Sequence, residues 1–153
     1  MINNDQAMEK YMAEIYPKEL KLIPDVSNDI AVSFLDLKLI IKDSKIYSHI
    51  YDKRDCFSFE IVNFPVLSGN IPNSSAYGVF IGELVRYARA CTYFKHFKER
   101  TTLLITKIRK QYYTLKRLKK TWFKFCNSHI LFIQKYGSKI LVFIKNGIDK
   151  FYY

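Results

Sequence analysis

The sequence predicts an α+β fold in two parts: an amino-terminal helix and β-hairpin over residues 1–68, then an antiparallel helical bundle over residues 69–153. Three observations carry that expectation. Apolar side chains between residues 31 and 51 follow a period of two or run continuously, whereas beyond residue 74 they recur every three or four. Between the two regimes, residues 64–75 (FPVLSGNIPNSS) hold Pro65, Gly69 and Pro72, which neither a long helix nor a central strand accommodates. The charge balance also changes there. Residues 1–79 carry 8 Lys/Arg against 11 Asp/Glu and residues 80–153 carry 17 against 3, so the halves stand at −3 and +14.

The first expected element is a short amphipathic helix over residues 5–16, with Met8, Met12 and Ile15 at helical spacing and Pro17 ending it. Polar PDVSND follows. From Ala31 the run Val32, Phe34, Leu35, Leu37, Leu39, Ile41 predicts one strand, and Asp43-Ser44 a turn into a second strand over residues 46–51. Alternation along a single strand places Val32 and Phe34 with Asp36, Lys38 and Ile40, and assigns Leu35, Leu37, Leu39 and Ile41 to the buried face.

Ser74 or Ser75 is the expected cap of a helix running to about Cys91, with Val79, Leu84, Tyr87, Ala88 and Cys91 inward. Thr92 is the expected cap of the next, which reaches about Gln111 on an inward stripe of Phe97, Leu104 and Ile108. A third helix from about Thr114 buries Leu115, Leu118, Trp122, Phe125 and Cys126. Gly137 precedes a last short helix ending near Gly147. Short connections make these helices antiparallel neighbours.

Composition bounds the functional class. A chain of 153 residues, 49% apolar and 25% charged, has the size and make-up of one globular domain rather than a disordered segment. Cys56, Cys91 and Cys126 form no Cys-x-x-Cys arrangement, which points to a reducing compartment. No signal-peptide core opens the chain and no apolar run approaches the roughly 18 residues of a membrane span. A soluble protein of the cytoplasm or nucleus is therefore expected. The +14 half calls for a polyanionic partner, nucleic acid or an acidic membrane surface, unless its lysines serve only as a solvated face.

Six strings in order carry a family resemblance: IYPKELKL from Ile15, SFLDLKLII from Ser33, IYDKRDCFSFEIVNFPVLSGNIP from Ile50, YGVFIGELVRYARAC from Tyr77, KTWFKF from Lys120 and QKYGS from Gln134. Together they resemble the carboxy-terminal, post-catalytic part of mobile-element reverse transcriptases of Penelope-like or non-LTR type. The resemblance implies the end of a palm, with a hairpin that supports the primer end, continuing into a helical thumb that grips the template–primer duplex. Three departures stand out: Cys56 where an acidic residue is usual, Tyr112 where glycine usually separates two thumb helices, and an end at Tyr153, short of the usual continuation. They fit a decayed or truncated element.

The expected contact surface is basic. Lys116, Lys120 and Lys124 lie four apart on the third bundle helix, with Arg117 and Lys119 beside them, opposite the apolar seam. Like charges at that spacing repel by a few tenths of a kcal/mol per pair, a cost a polyanion would offset. Arg109 and Lys110 extend the stripe backwards, and Arg86 and Arg89 offer a second row. Six such contacts to phosphate predict a log–log salt slope of about −5. The resemblance selects nucleic acid, an RNA/DNA or DNA duplex, over a membrane as the partner, with a separate palm polypeptide as a second one. Lys and Arg, with few Asn or Gln on the face, suit phosphate contacts rather than base readout. Most of the 12 Tyr and 12 Phe are expected in the core, and so is the single tryptophan, with Trp122 and Phe125 on the apolar seam; Tyr112, Tyr113 and residues 151–153 are the candidates for stacking on bases.

Catalysis is not expected. Polymerisation needs metal ions held by close carboxylates, and no adjacent Asp pair occurs. Asp52 and Asp55, flanking Lys53 and Arg54, fit a turn or ion pairing better. The three histidines are scattered. Cys126 and His129 lack two further zinc ligands, and no phosphate loop or nucleophile motif is present. The expectation is thus a fragment that binds a duplex without sequence preference, with no catalytic residue, metal or cofactor. An independent helical DNA-binding module, or a transposon remnant with no selected role, are the alternatives.

Overall fold

A computed structural model describes residues 31–61 and 63–139. The described residues form an α+β fold: a three-stranded antiparallel sheet in the order β1-β2-β3, then helices. The strands are β1 (Ala31–Phe34), β2 (Leu37–Lys42) and β3 (Lys45–Ile50). Three helices of 14 to 18 residues follow, α1 (Asn73–Ala90), α2 (Phe94–Arg109) and α3 (Leu115–Ser128), and then a single turn, α4 (Ile130–Ile133). Short 3₁₀ turns occupy Lys53–Cys56 and Gln134–Tyr136. The helix expected over residues 5–16, the last helix beyond Lys139 and residues 151–153 lie outside the described residues.

The sheet corrects one expectation. What reads as a single strand is two, folded back at Leu35-Asp36, so that Phe34 pairs with Leu37 and Val32 with Leu39. Leu35 adopts φ 53, a conformation usually given to glycine at the first position of a two-residue hairpin loop. The reversal regroups the faces: Val32 and Phe34 join Leu37, Leu39 and Ile41, opposite Ile50, Ser48 and Ile46 of β3. Only the end of that face nearest the helices is covered. Ile50 is buried and Leu37 packs against the core, whereas Leu35 (78% exposed) and Ile41 (52%) face solvent. The Asp43-Ser44 turn forms as expected, both residues at positive φ as a type I′ loop requires.

Sheet and helices share one core. Ile50 enters the same cluster as Phe80, Leu84, Phe97, Leu104, Trp122 and Phe125. Helix α1 is central, packing against α2, α3, α4 and β3. It buries Ala76, Tyr77, Phe80, Leu84, Tyr87 and Ala88, while Val79, expected inward, is exposed. The 3.6-residue period explains this: residues 76, 77, 80, 84, 87 and 88 fall on one stripe and 79 does not. The helix opens on Pro72 rather than on a capping serine. Thr92 does not cap α2, whose N-cap is Tyr93. It bonds to the edge of β3 instead: its amide donates to Ser48 O at 2.8 Å, and its Oγ1 accepts from the Ser48 amide at 2.9 Å.

Tyrosine hydroxyls pin both ends of α1. Tyr113 Oη donates to Ala76 O at 3.2 Å, and Tyr136 Oη donates to Cys91 O at 2.8 Å. Tyr136 also stacks on Phe97, with ring centroids 5.3 Å apart. Burial of these phenols pushes the pKa of both Tyr113 and Tyr136 upward, so both remain protonated donors.

Past the end of α2 at Arg109, the chain turns through Tyr112, at φ 67, and the Tyr113 amide donates back to Ile108 O. A non-glycine residue pays for the left-handed region. Because the Tyr112 side chain is 71% exposed, Tyr112→Gly forfeits little packing. It is expected to raise stability by about 0.5–1 kcal/mol, read as a higher urea midpoint.

Candidate nucleic-acid interface

Helix α3 is the most one-sided element. Leu118, Trp122, Phe125 and Cys126 are buried, and the opposite face presents Lys116, Arg117, Lys120 and Lys124, all exposed. Lys119 is half-buried at the flank, and Phe123 (46% exposed) lies beside the lysines. No carboxylate stands on α3, nor anywhere between residues 101 and 139. Arg117 leans over the Tyr77 ring at 4.8 Å, a contact that holds the guanidinium without neutralising it. The structure thus brings four of the expected contact residues onto one open face, with Lys119 at its edge.

The remaining four stand elsewhere. Arg86 pairs with Asp36 at 3.6 Å and Glu83 at 3.3 Å. Arg89 lies over the Phe132 ring at 4.7 Å. Both line a shallow groove of about 440 Å³ between α1 and the Leu35-Asp36 turn. Arg109 donates to Tyr113 O at 3.3 Å, bracing the α2–α3 connection, and Lys110 pairs with Glu60. Two cations not singled out in the sequence, Arg100 and Lys107, both meet Asp55. Their spacing with Lys110 marks a second stripe on α2, but the acids that meet them lie 45 to 52 positions away.

Asp52 and Asp55 are committed to structure. Asp52 caps the Lys53–Cys56 turn by accepting from the Arg54 amide and receives the Arg54 guanidinium. That hydrogen bonding holds its carboxyl below the usual range. Among the described residues, no three His, Cys, Asp or Glu side chains are grouped to hold a metal ion. Cys126 is buried and its thiol is pushed up to about 12 by desolvation, which leaves it protonated. The His129 ring is stacked between Phe125 and Phe132. Of the stacking candidates, Tyr113 is buried, whereas Tyr112 is exposed; Trp122 and Phe125 are in the core. No described helix is long and apolar enough to cross a membrane.

One polar seam pairs two histidines from different elements. His49 of β3 faces His96 of α2 with ring centroids 4.4 Å apart, flanked by the stacked Tyr47–Tyr93 pair. Burial lowers the pKa of His49, and His96, Lys38 and Arg100 lower it further, against a smaller opposing effect of Glu99. A depressed folded-state pKa means that the unfolded chain binds the proton more readily. This contribution is fully present above pH about 6.5, the ordinary histidine value, and is lost as pH falls through the folded pKa. The melting temperature is expected to drop between pH 7.5 and 5.0, and His49→Gln to remove much of that drop in a calorimetric scan.

The chain matches no family model, and no curated protein and no solved structure is similar enough to it to count as a match.

Proposed function

We propose that the chain binds a template–primer-like duplex through its phosphate backbone, without sequence preference and without polymerase catalysis of its own, as a thumb-type remnant of a mobile-element reverse transcriptase. The observation that carries the proposal is the α3 face: four exposed cations on one side of a helix whose other side is buried, in a 39-residue stretch with no acid to neutralise them. Repulsion between lysines four apart has no compensation within the helix, and a row of phosphates supplies it. The left-handed Tyr112 supports the resemblance, since it stands where those polymerases place glycine between thumb helices. A duplex, and a separate palm polypeptide beside it, are the partners this reading implies, inside the cytoplasm or nucleus.

The test is a fluorescence-anisotropy titration of labelled duplexes of unrelated sequence. Similar affinities are expected for all, falling with salt at a log–log slope of about −4 for four phosphate contacts. A preference above about tenfold for one sequence would instead indicate the base readout of an independent DNA-binding module. No binding at low salt would reject the reading.

A further inference from the structure

We propose that α2 carries a second phosphate-binding row, Arg100, Lys107 and Lys110, which the chain's own Asp55 and Glu60 occupy until a nucleic-acid backbone displaces them. The inference rests on the proposed function and adds its regulation.

The geometry comes from the connection between β3 and α1. That segment runs along α2 from Ile50, whose carbonyl accepts from Arg100 at 3.0 Å, to Leu67, whose amide donates to Gln111 O at 3.0 Å. Its two ends are anchored in apolar contact, by Ile50 at one and by Phe64 and Leu67 at the other. Between them, the turn Lys53–Cys56 buries no residue, and Phe57 and Phe59 point to solvent. Among the described residues, ion pairs tie this middle portion to α2. The two oxygens of Asp55 take Arg100 and Lys107 separately, and Glu60 takes Lys110.

Carboxylate and phosphate are both oxyanions that guanidinium and ammonium groups bind through the same charge-assisted hydrogen bonds. Asp55 and Glu60 therefore stand where phosphates would sit. The Lys110–Glu60 pair, about half exposed, contributes little to stability; Asp55 is one-third exposed, within reach of salt and ligand, and a duplex offers many phosphates and gains entropy by releasing its counterions. Exchange of two carboxylates for a run of phosphates is thus the favoured direction once a duplex is held on α3. The acidic segment acts as an internal competitor that sets affinity and restricts α2 to strongly anionic ligands.

Asp55→Asn/Glu60→Gln in the full 153-residue chain removes both charges and keeps side-chain size. Duplex affinity at 50 mM salt is expected to rise about tenfold, and the log–log salt slope to steepen by about 2 to 3 as three cations become available. Glu60→Gln alone, at a pair about half exposed, leaves folding intact and should steepen the slope by about 1, a gain that adding Lys110→Ala abolishes. Asp43→Asn, in the β2–β3 turn, removes the same charge without releasing an α2 cation, and should change little. Equal gains from Asp43→Asn and Glu60→Gln would reduce the effect to net charge and overturn the proposal. So would unchanged slopes in both strap variants while duplex binding itself persists. Absence of duplex binding in every protein would instead reject the proposed function beneath it.

Discussion

Trp122→Ala is expected to destabilise the protein by about 3–5 kcal/mol, a large share of the roughly 5–15 kcal/mol that holds a domain of this size together. Trp122 is 1% exposed and lies 6.3 Å from Phe97 and 5.7 Å from Phe125, centroid to centroid. Phe97 in turn stacks on Tyr136 and packs near Phe94. The ring is therefore the α3 contribution to an aromatic cluster shared with α2 and the Gln134–Tyr136 turn. Its removal leaves a void lined by rigid rings that cannot collapse to fill it. Far-UV circular dichroism under urea is the appropriate readout, because Trp122 is the only tryptophan and its loss removes the fluorescence signal. Phe123→Ala, one residue along and half exposed, should shift the midpoint by far less. Equal effects at the two positions would mean that α3 is not seated as described.

Replacing Lys116, Arg117, Lys120 and Lys124 together with alanine is expected to lower duplex affinity by about two orders of magnitude at 50 mM salt, and to flatten the log–log salt slope by about 3 to 4, close to one unit per phosphate lost. Folding should survive. All four side chains are exposed, none meets an acid, and alanine is the best helix former. Relief of like-charge repulsion compensates in part for the lost contact of Arg117 with Tyr77. The loss should be the same for every duplex sequence. Unchanged affinity in a variant that still melts cooperatively would remove α3 as the contact surface.

What could be read from the sequence was what depends on residues close together along the chain. The α3 face was legible because Leu118, Trp122, Phe125 and the cations between them repeat at three and four, so burial and charge separate within one helix. The stripe Phe97, Leu104, Ile108 was legible for the same reason, and so was the Asp43-Ser44 turn between two β-rich runs. The Leu35-Asp36 reversal was not. A leucine at positive φ carries no turn signal, and the flanking residues are apolar on both sides, so period-two reading runs straight through it. Missing that turn moved Val32 and Phe34 to the wrong face, as a one-residue slip in strand register does. Thr92 was legible as a hydrogen-bonding residue at a helix start but not as the partner of Ser48, 44 positions earlier. The engagement of Arg86 by Asp36 and of Lys110 by Glu60 was hidden in the same way. Charge can be counted from a sequence, but which charges neutralise one another depends on tertiary contact.

The two tyrosine hydroxyls at the ends of α1 have a mechanical consequence. A helix held only by apolar ridges can slip along its axis by one turn, about 5.4 Å, and repack. Here such a slip would tear Tyr113 from Ala76 and Tyr136 from Cys91 in the same step, leaving two buried phenols without acceptors. The central rod is thereby fixed in length register against the elements around it.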